Sequence, residues 1–329
     1  MNTTRAVLRV LVLGLAFLGA SVACDGALER TANAQSVEAA PFVTVSLLRY
    51  AASAELERML GRLPTDVRRA LIGAYVAFDD SPTDPSSMSG CDDDGDYVVV
   101  VSDALLRLAG FVAEAEATDE AYGTHEVDDY ATFLAEAEGA KVRPVPPPPG
   151  FFEPSRARLA PNADRGRRGE RSERWPGDGA EGLRLGLRAL RFREIVAAIV
   201  AHELVHFVQG DLACPNPTAT HERGDDQWTR EEREQALDVA SRVYTPERVR
   251  AADAAATMLL LDEGLTETGS LAWLRTMERL ERQARATGLS RQLPVPAAST
   301  YLLLHTEEAV RVEVVRAAAA EWRILRALQ

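Results

Sequence analysis

Ile195-Val196-Ala197-Ala198-Ile199-Val200-Ala201-His202-Glu203-Leu204-Val205-His206-Phe207-Val208 is apolar nearly all the way round a helix. A helix of that kind belongs in the middle of a domain. The helical pattern begins at about Leu183, and Gly210 stands where a left-handed cap would end it. His202 and His206 are four residues apart, roughly one turn, so their imidazoles project from one face. Two ligands need that spacing to share a tetrahedral zinc at ~2 Å. Glu203 lies one step round and can reach a water on the metal without being a ligand. Zinc lowers the pKa of such a water to ~7, and the carboxylate can take its proton as it attacks a carbonyl. Burying two His and a Glu in an apolar helix is costly unless something compensates them, and a dication compensates all three. The competing reading is a metal-free helix whose histidines bond backbone carbonyls. With five histidines in 329 residues, such a coincidence is improbable.

The N-terminus reads as an address. Arg5 and Arg9 precede an apolar run, Val10–Ala20, that is too short to span a bilayer. Ser21-Val22-Ala23 offers small residues for cleavage, and Cys24 follows at once. Residues 1–23 are therefore expected to be a signal peptide. Cys24 is a candidate for lipidation and membrane attachment, although Ser21 sits where a lipoprotein signal usually has Leu. Either way the mature protein is exported: periplasmic, lipid-anchored or extracellular. Outside the cytoplasm thiols tend to pair, and the two remaining cysteines, Cys91 and Cys214, are expected to form a disulfide.

Residues 24–40 read as a tether and 41–329 as the folded domain. Apolar residues at 46% and charged residues at 26% are ordinary for a globular chain. A net charge of −13 argues against a nucleic-acid partner, which needs a concentrated basic surface. Pro41–Leu48 is a possible strand. Glu55–Phe78 reads as helix with a break near Gly61–Pro64. Asp79–Asp96 holds seven Asp and no Lys or Arg, and reads as an acidic loop. Asp92, Asp94 and Asp96 suggest calcium, but Gly95 comes one place early for an EF-hand. Tyr97–Val101 is β-branched and reads as a strand, followed by a helix from Ala104 to about Ala117 capped by Ser102-Asp103. Residues 141–182 contain a proline run and seven Arg between Arg156 and Arg174. They read as a surface excursion. Further helices are expected at Arg230–Val243, Pro246–Thr276 and Glu307–Leu328.

With these residues in place the chain resembles the zincin metallopeptidases. The matches are Ala201–Gln209 around the His-Glu-x-x-His motif and, downstream, Asp262-Glu263-Gly264-Leu265-Thr266-Glu267. A Glu-Gly pair opening a helix resembles the gluzincin branch, in which that Glu is the third ligand. Tyr97–Leu106 also resembles the strand and helix that flank such sites. The resemblance covers roughly residues 195–275. It implies an α+β fold, mostly helical, with a small twisted sheet near the metal helix. It also implies a Zn2+ cofactor and a peptide or protein substrate.

Glu263 is the favoured third ligand, with Glu267 orienting a ligand histidine. The rival is Glu234, with Asp238 as the orienting acid, although Arg230–Glu234 is densely charged and reads as a solvated face. Tyr301 and His305 are candidate donors to the oxyanion that peptide hydrolysis develops. Ordinary packing is the alternative for both. His125 and His221 lie in polar loops and are expected in solvent. The function expected from these residues is zinc-dependent hydrolysis with Glu203 as base. The alternative is an exported zinc-binding module without activity.

Overall fold

The computed structural model describes residues 44–138, 143–153, 178–215, 217, 230–286 and 299–328. The stretches expected to be a leader and a tether, with Cys24, the Arg-rich run 156–174 and His221 lie outside the described residues. The fold is α+β and mostly helical, with one small mixed sheet.

The chain starts with helix α1 (Val45–Arg62), the short α2 (Thr65–Ala70) and strand β1 (Tyr75–Asp79). Strands β2 (Ser87–Cys91) and β3 (Tyr97–Ser102) follow. The sheet order is β1-β3-β2, with β1 parallel to β3 and β2 antiparallel to it. Val76, Phe78, Val99 and Val101 pack into the main core with α1 and the helices below it in sequence. Tyr75, Ala77, Met88, Val98 and Val100 pack on the other face against Ala236, Ala240 and Tyr244. Both faces are covered, which explains why Val98–Val101 reads as an unbroken apolar run instead of alternating.

Ser102 ends β3 and caps α3 (Asp103–Tyr122): its Oγ accepts from the Leu105 amide at 3.1 Å. Gly123, at φ 68°, ends α3 in the left-handed conformation that glycine adopts without strain. Helix α4 (Glu126–Glu138) leads on to α5 (Asp178–Val208), and α6 (Arg230–Val243), α7 (Pro246–Asp262) and α8 (Thr268–Ala286) follow. Helix α5 packs on α1, α3, α7 and α8. A one-turn helix, Thr300–Leu304, and a C-terminal helix, Glu308–Ala327, close the core. Among the described residues no helix is long and apolar enough to cross a membrane.

Several sequence expectations need correction. Val45–Leu48 is helix, not strand, because Leu48, Ala52, Leu56 and Met59 form one buried helical stripe. The helix expected to reach Phe78 ends earlier, since Tyr75–Phe78 pairs with Val98–Val101. The acidic loop contains β2, and Asp92–Asp96 is the turn joining β2 to β3. There Asp92 accepts from the Asp96 amide and from the Tyr75 hydroxyl. Helix α5 begins at Asp178, before Leu183, and Gly264, at φ 78°, divides the expected Pro246–Thr276 helix in two. Cys91 and Cys214 are bridged, with Cα atoms 5.4 Å apart.

Helix α3 carries an acidic group whose charge opposes folding. Burial, with Asp119 and Glu120 alongside, raises Glu116 from its ordinary 4.5 to about 7. The folded chain thus keeps a proton that the unfolded chain releases between about pH 4.5 and 7. This group's contribution is full below that window and is lost as pH rises through it. Glu116→Gln is expected to match the parent near pH 4.5 and to melt at a higher temperature than the parent at pH 8, read by thermal denaturation. Equal melting at both pH values would contradict this.

Candidate metal centre

The site is built around α5, with side chains brought to it from strand β2 and from several later segments. His202 and His206, one turn apart, bring their Nε2 atoms to 3.3 Å from each other. His305, just after the one-turn helix, adds a third ring, 5.0 Å from His202 between centroids. His202, Glu203, His206 and His305 are each at most 3% exposed.

Hydrogen bonding fixes how these rings are protonated. His202 Nδ1 lies 2.8 Å from Asp253 Oδ1, and His206 Nδ1 lies 2.9 Å from Asp211 Oδ2. His305 Nδ1 lies 3.1 Å from the Tyr301 carbonyl oxygen. All three partners are oxygen acceptors, so each Nδ1 carries the hydrogen and donates it. Each Nε2 is then a bare lone pair. Burial pushes His305 down to about 4 and lowers His206 as well, which keeps these rings neutral at pH 7.

Lone pairs facing one another repel unless a cation or a proton lies between them. With Nδ1 donating in both rings, a divalent cation suits the 3.3 Å gap between His202 and His206. His305 Nε2 lacks a hydrogen-bond partner and stands 3.3 Å from Glu203 Oε1, another acceptor. Two imidazole nitrogens at 2.0–2.1 Å from one tetrahedral zinc stand about 3.3 Å apart, which is the separation found. His202, Glu203 and His305 also place one candidate ligand atom each within 4.8 Å of one another. His206 is outside that group and joins it through its 3.3 Å approach to His202; imidazole and carboxylate donors of this kind suit a divalent metal of the zinc type.

Glu203 is held by hydroxyls. Ser87 donates to Oε1 at 2.7 Å, and Ser89 approaches Oε2 at 3.0 Å. The Tyr244 hydroxyl also donates to Oε2 and itself accepts from the Ser89 amide at 2.8 Å. These bonds favour the ionised carboxylate. They fill Oε2 and leave Oε1 with room on the side of His305.

Behind His202, Asp253 is gripped by Arg311 through Nε at 2.7 Å and Nη2 at 2.9 Å. Burial opposes the charge on Asp253, but Arg311 and His202 outweigh it and hold the carboxyl below the usual range. Arg311 Nη1 also donates to the Tyr301 hydroxyl at 3.1 Å, as Trp273 Nε1 does at 2.9 Å. Both lone pairs of that hydroxyl are thus used, and its own hydrogen is left for the cavity it lines. The cavity, of about 30 Å3, is bounded by His202, Glu203, His305, Tyr301 and Arg311, with an apolar far wall. It has room for about two water-sized groups.

The favoured third ligand from sequence is elsewhere. Glu263 caps the end of α7 and pairs with Arg62 at 2.5 Å and Arg193 at 3.7 Å. Arg193 lies nine residues before His202 on α5, about 13 Å along the axis. Glu267 pairs with Arg323 and does not orient a histidine. Glu234 and Asp238 are exposed on α6, and Asp238 bonds Arg242. His305 and Tyr301 are both at the site, His305 with its Nε2 3.3 Å from Glu203 Oε1 and Tyr301 lining the same cavity. His125 is exposed, as expected.

Sequence reasoning missed Asp211, Asp253, Ser87, Ser89, Tyr244 and Arg311. Two left a signal. Asp253 is the lone acid in Ala251–Ala256, and Asp211 directly follows the helix-ending Gly210. No family model, curated protein or solved structure matches the chain.

Proposed function

We propose that this chain is an exported zinc-dependent hydrolase that cleaves an amide bond of a peptide or protein, with His202, His206 and His305 holding the metal. The observation that carries the reading is the three bare Nε2 atoms, each with its Nδ1 bonded to an oxygen acceptor. Ligand histidines in metal sites have that pattern. When bound, zinc supplies Lewis acidity and makes a water acidic near pH 7. Glu203 then takes the water proton through Oε1 and returns it to the leaving nitrogen. Tyr301 lines the cavity, and its hydroxyl, which accepts from Trp273 and Arg311, would steady the developing oxyanion with its own hydrogen. Asp253, Asp211 and the Tyr301 carbonyl keep the three imidazoles in the binding tautomer. Export is supported by the leader and by the Cys91–Cys214 bridge, which belongs to oxidising compartments. Peptide as the substrate class rests on the zincin resemblance.

The test is metal content of purified chains. One zinc per chain is expected in the parent and in Glu263→Ala. His305→Ala is expected to weaken zinc binding by more than about 100-fold, since even outer partners of ligands are worth 10–100-fold. Zinc lost from Glu263→Ala and kept in His305→Ala would reverse the ligand assignment.

Deep burial of all four groups favours a second reading, a non-catalytic zinc with Glu203 as fourth ligand. In that case Glu203→Gln should lower zinc affinity. In the hydrolase reading it should not.

A further inference from the structure

Side chains alternate along a strand, so Ser87, Ser89 and Cys91 share one face of β2. All three reach α5 or the segment directly after it. Ser87 and Ser89 hold the Glu203 carboxylate, and Ser89 Oγ also lies 2.8 Å from the Glu203 carbonyl oxygen. Cys91 is bonded to Cys214. Cys214 follows Asp211 by three residues, and Asp211 fixes His206. Between α5 and Asp211 the chain reverses at Gly210, at φ 74°. The result is a closed circuit from β2 through Glu203, His206, Asp211 and Cys214 back to Cys91.

We propose that the Cys91–Cys214 disulfide is a positioning element of the metal centre, holding Asp211 on His206 and β2 on Glu203, so that zinc retention depends on the bridge. The proposal rests on the zinc reading above. Asp211 has two other anchors: its amide donates to the His206 carbonyl at 2.9 Å, and Arg248 pairs with Oδ1 at 3.1 Å. Arg248 is half in solvent, and exposed ion pairs contribute little. The covalent link is therefore the strong tie between this segment and the sheet. Its formation removes two electrons and two protons from the thiols and passes them to a disulfide oxidant, which leaves as a dithiol. Such an oxidant acts outside the cytoplasm. The centre is thus completed only after export, and the reduced precursor holds zinc weakly.

The experiment compares zinc affinity, by competition with a chromogenic chelator, in the oxidised full chain, in C91A/C214A and in parent reduced with a water-soluble phosphine. The phosphine takes up the oxygen of water and leaves two thiols. Circular dichroism is recorded on the same samples. Affinity is expected to fall on the order of 10–100-fold in both altered forms with helix content unchanged, the size of losing an outer partner. Asp211→Asn should weaken binding in the parent and add little in C91A/C214A. Affinity unchanged within about twofold in either altered form, or lost only together with helix signal, overturns the proposal. If the oxidised parent itself takes up no zinc, the reading of the metal centre fails with it.

Discussion

Glu203→Gln is expected to keep one zinc per chain while hydrolysis of a mixed peptide or casein substrate falls on the order of 10²–10⁴-fold, the usual contribution of a general base. The substitution changes little besides the proton affinity of one side chain. Gln retains an oxygen for the Ser87 hydroxyl, and the Ser89 and Tyr244 hydroxyls can turn to accept from its amide. The loss should therefore appear in kcat, with KM little changed. Retained activity would remove Glu203 as the base, and lost zinc would favour the non-catalytic reading.

Arg311→Met is expected to cost about 3–5 kcal/mol of stability, because removing one partner of a buried charge pair leaves the other uncompensated. Two acids are left here. Asp253 loses both of its bonds to Arg311, and Glu308, fully buried, loses the Oε1 bond at 2.8 Å. Burial, partly offset by Arg311, already raises Glu308 to about 8. The variant should also bind zinc more weakly, since Asp253 no longer holds His202 in place. Chemical denaturation of the zinc-free chains isolates the stability loss. Asp253→Asn combined with Arg311→Met should cost less than the sum of the two, because both changes break one interaction. A stability change under about 1 kcal/mol, or strict additivity, would contradict the role given to the pair.

The helix carrying His202, Glu203 and His206 was legible because chemistry and packing point the same way there. Two His and a Glu buried in a largely apolar helix need partners, and Asp253, Asp211, Ser87, Ser89 and Tyr244 provide them. The start of α3 and the end of α5 were legible from Ser102 and Gly210, whose caps depend on local chemistry alone, whereas α3 runs on to Tyr122, past the expected Ala117. The disulfide followed from the expected compartment and from arithmetic on three cysteines. The sequence marks His305 as a candidate site residue but not as a third ligand, because it comes from about 100 residues downstream and its approach to His202 is made by tertiary packing. Glu263 looked like a ligand because it sits beside Gly264 and apolar residues. That same context is a helix end, where the carboxylate meets Arg62 and Arg193. Strand β2 was hidden by its composition. Ser-Met-Ser-Gly-Cys has weak strand preference, and its serines are turned to the Glu203 carboxylate.

X-ray absorption at the zinc edge of the zinc-loaded, oxidised chain tests the convergence of the three rings most directly. The account predicts three imidazole nitrogens at about 2.0–2.1 Å and one further oxygen ligand, with one imidazole lost in His305→Ala. Two imidazoles in the parent, a spectrum unchanged by His305→Ala, or a chain that takes up no zinc would contradict it.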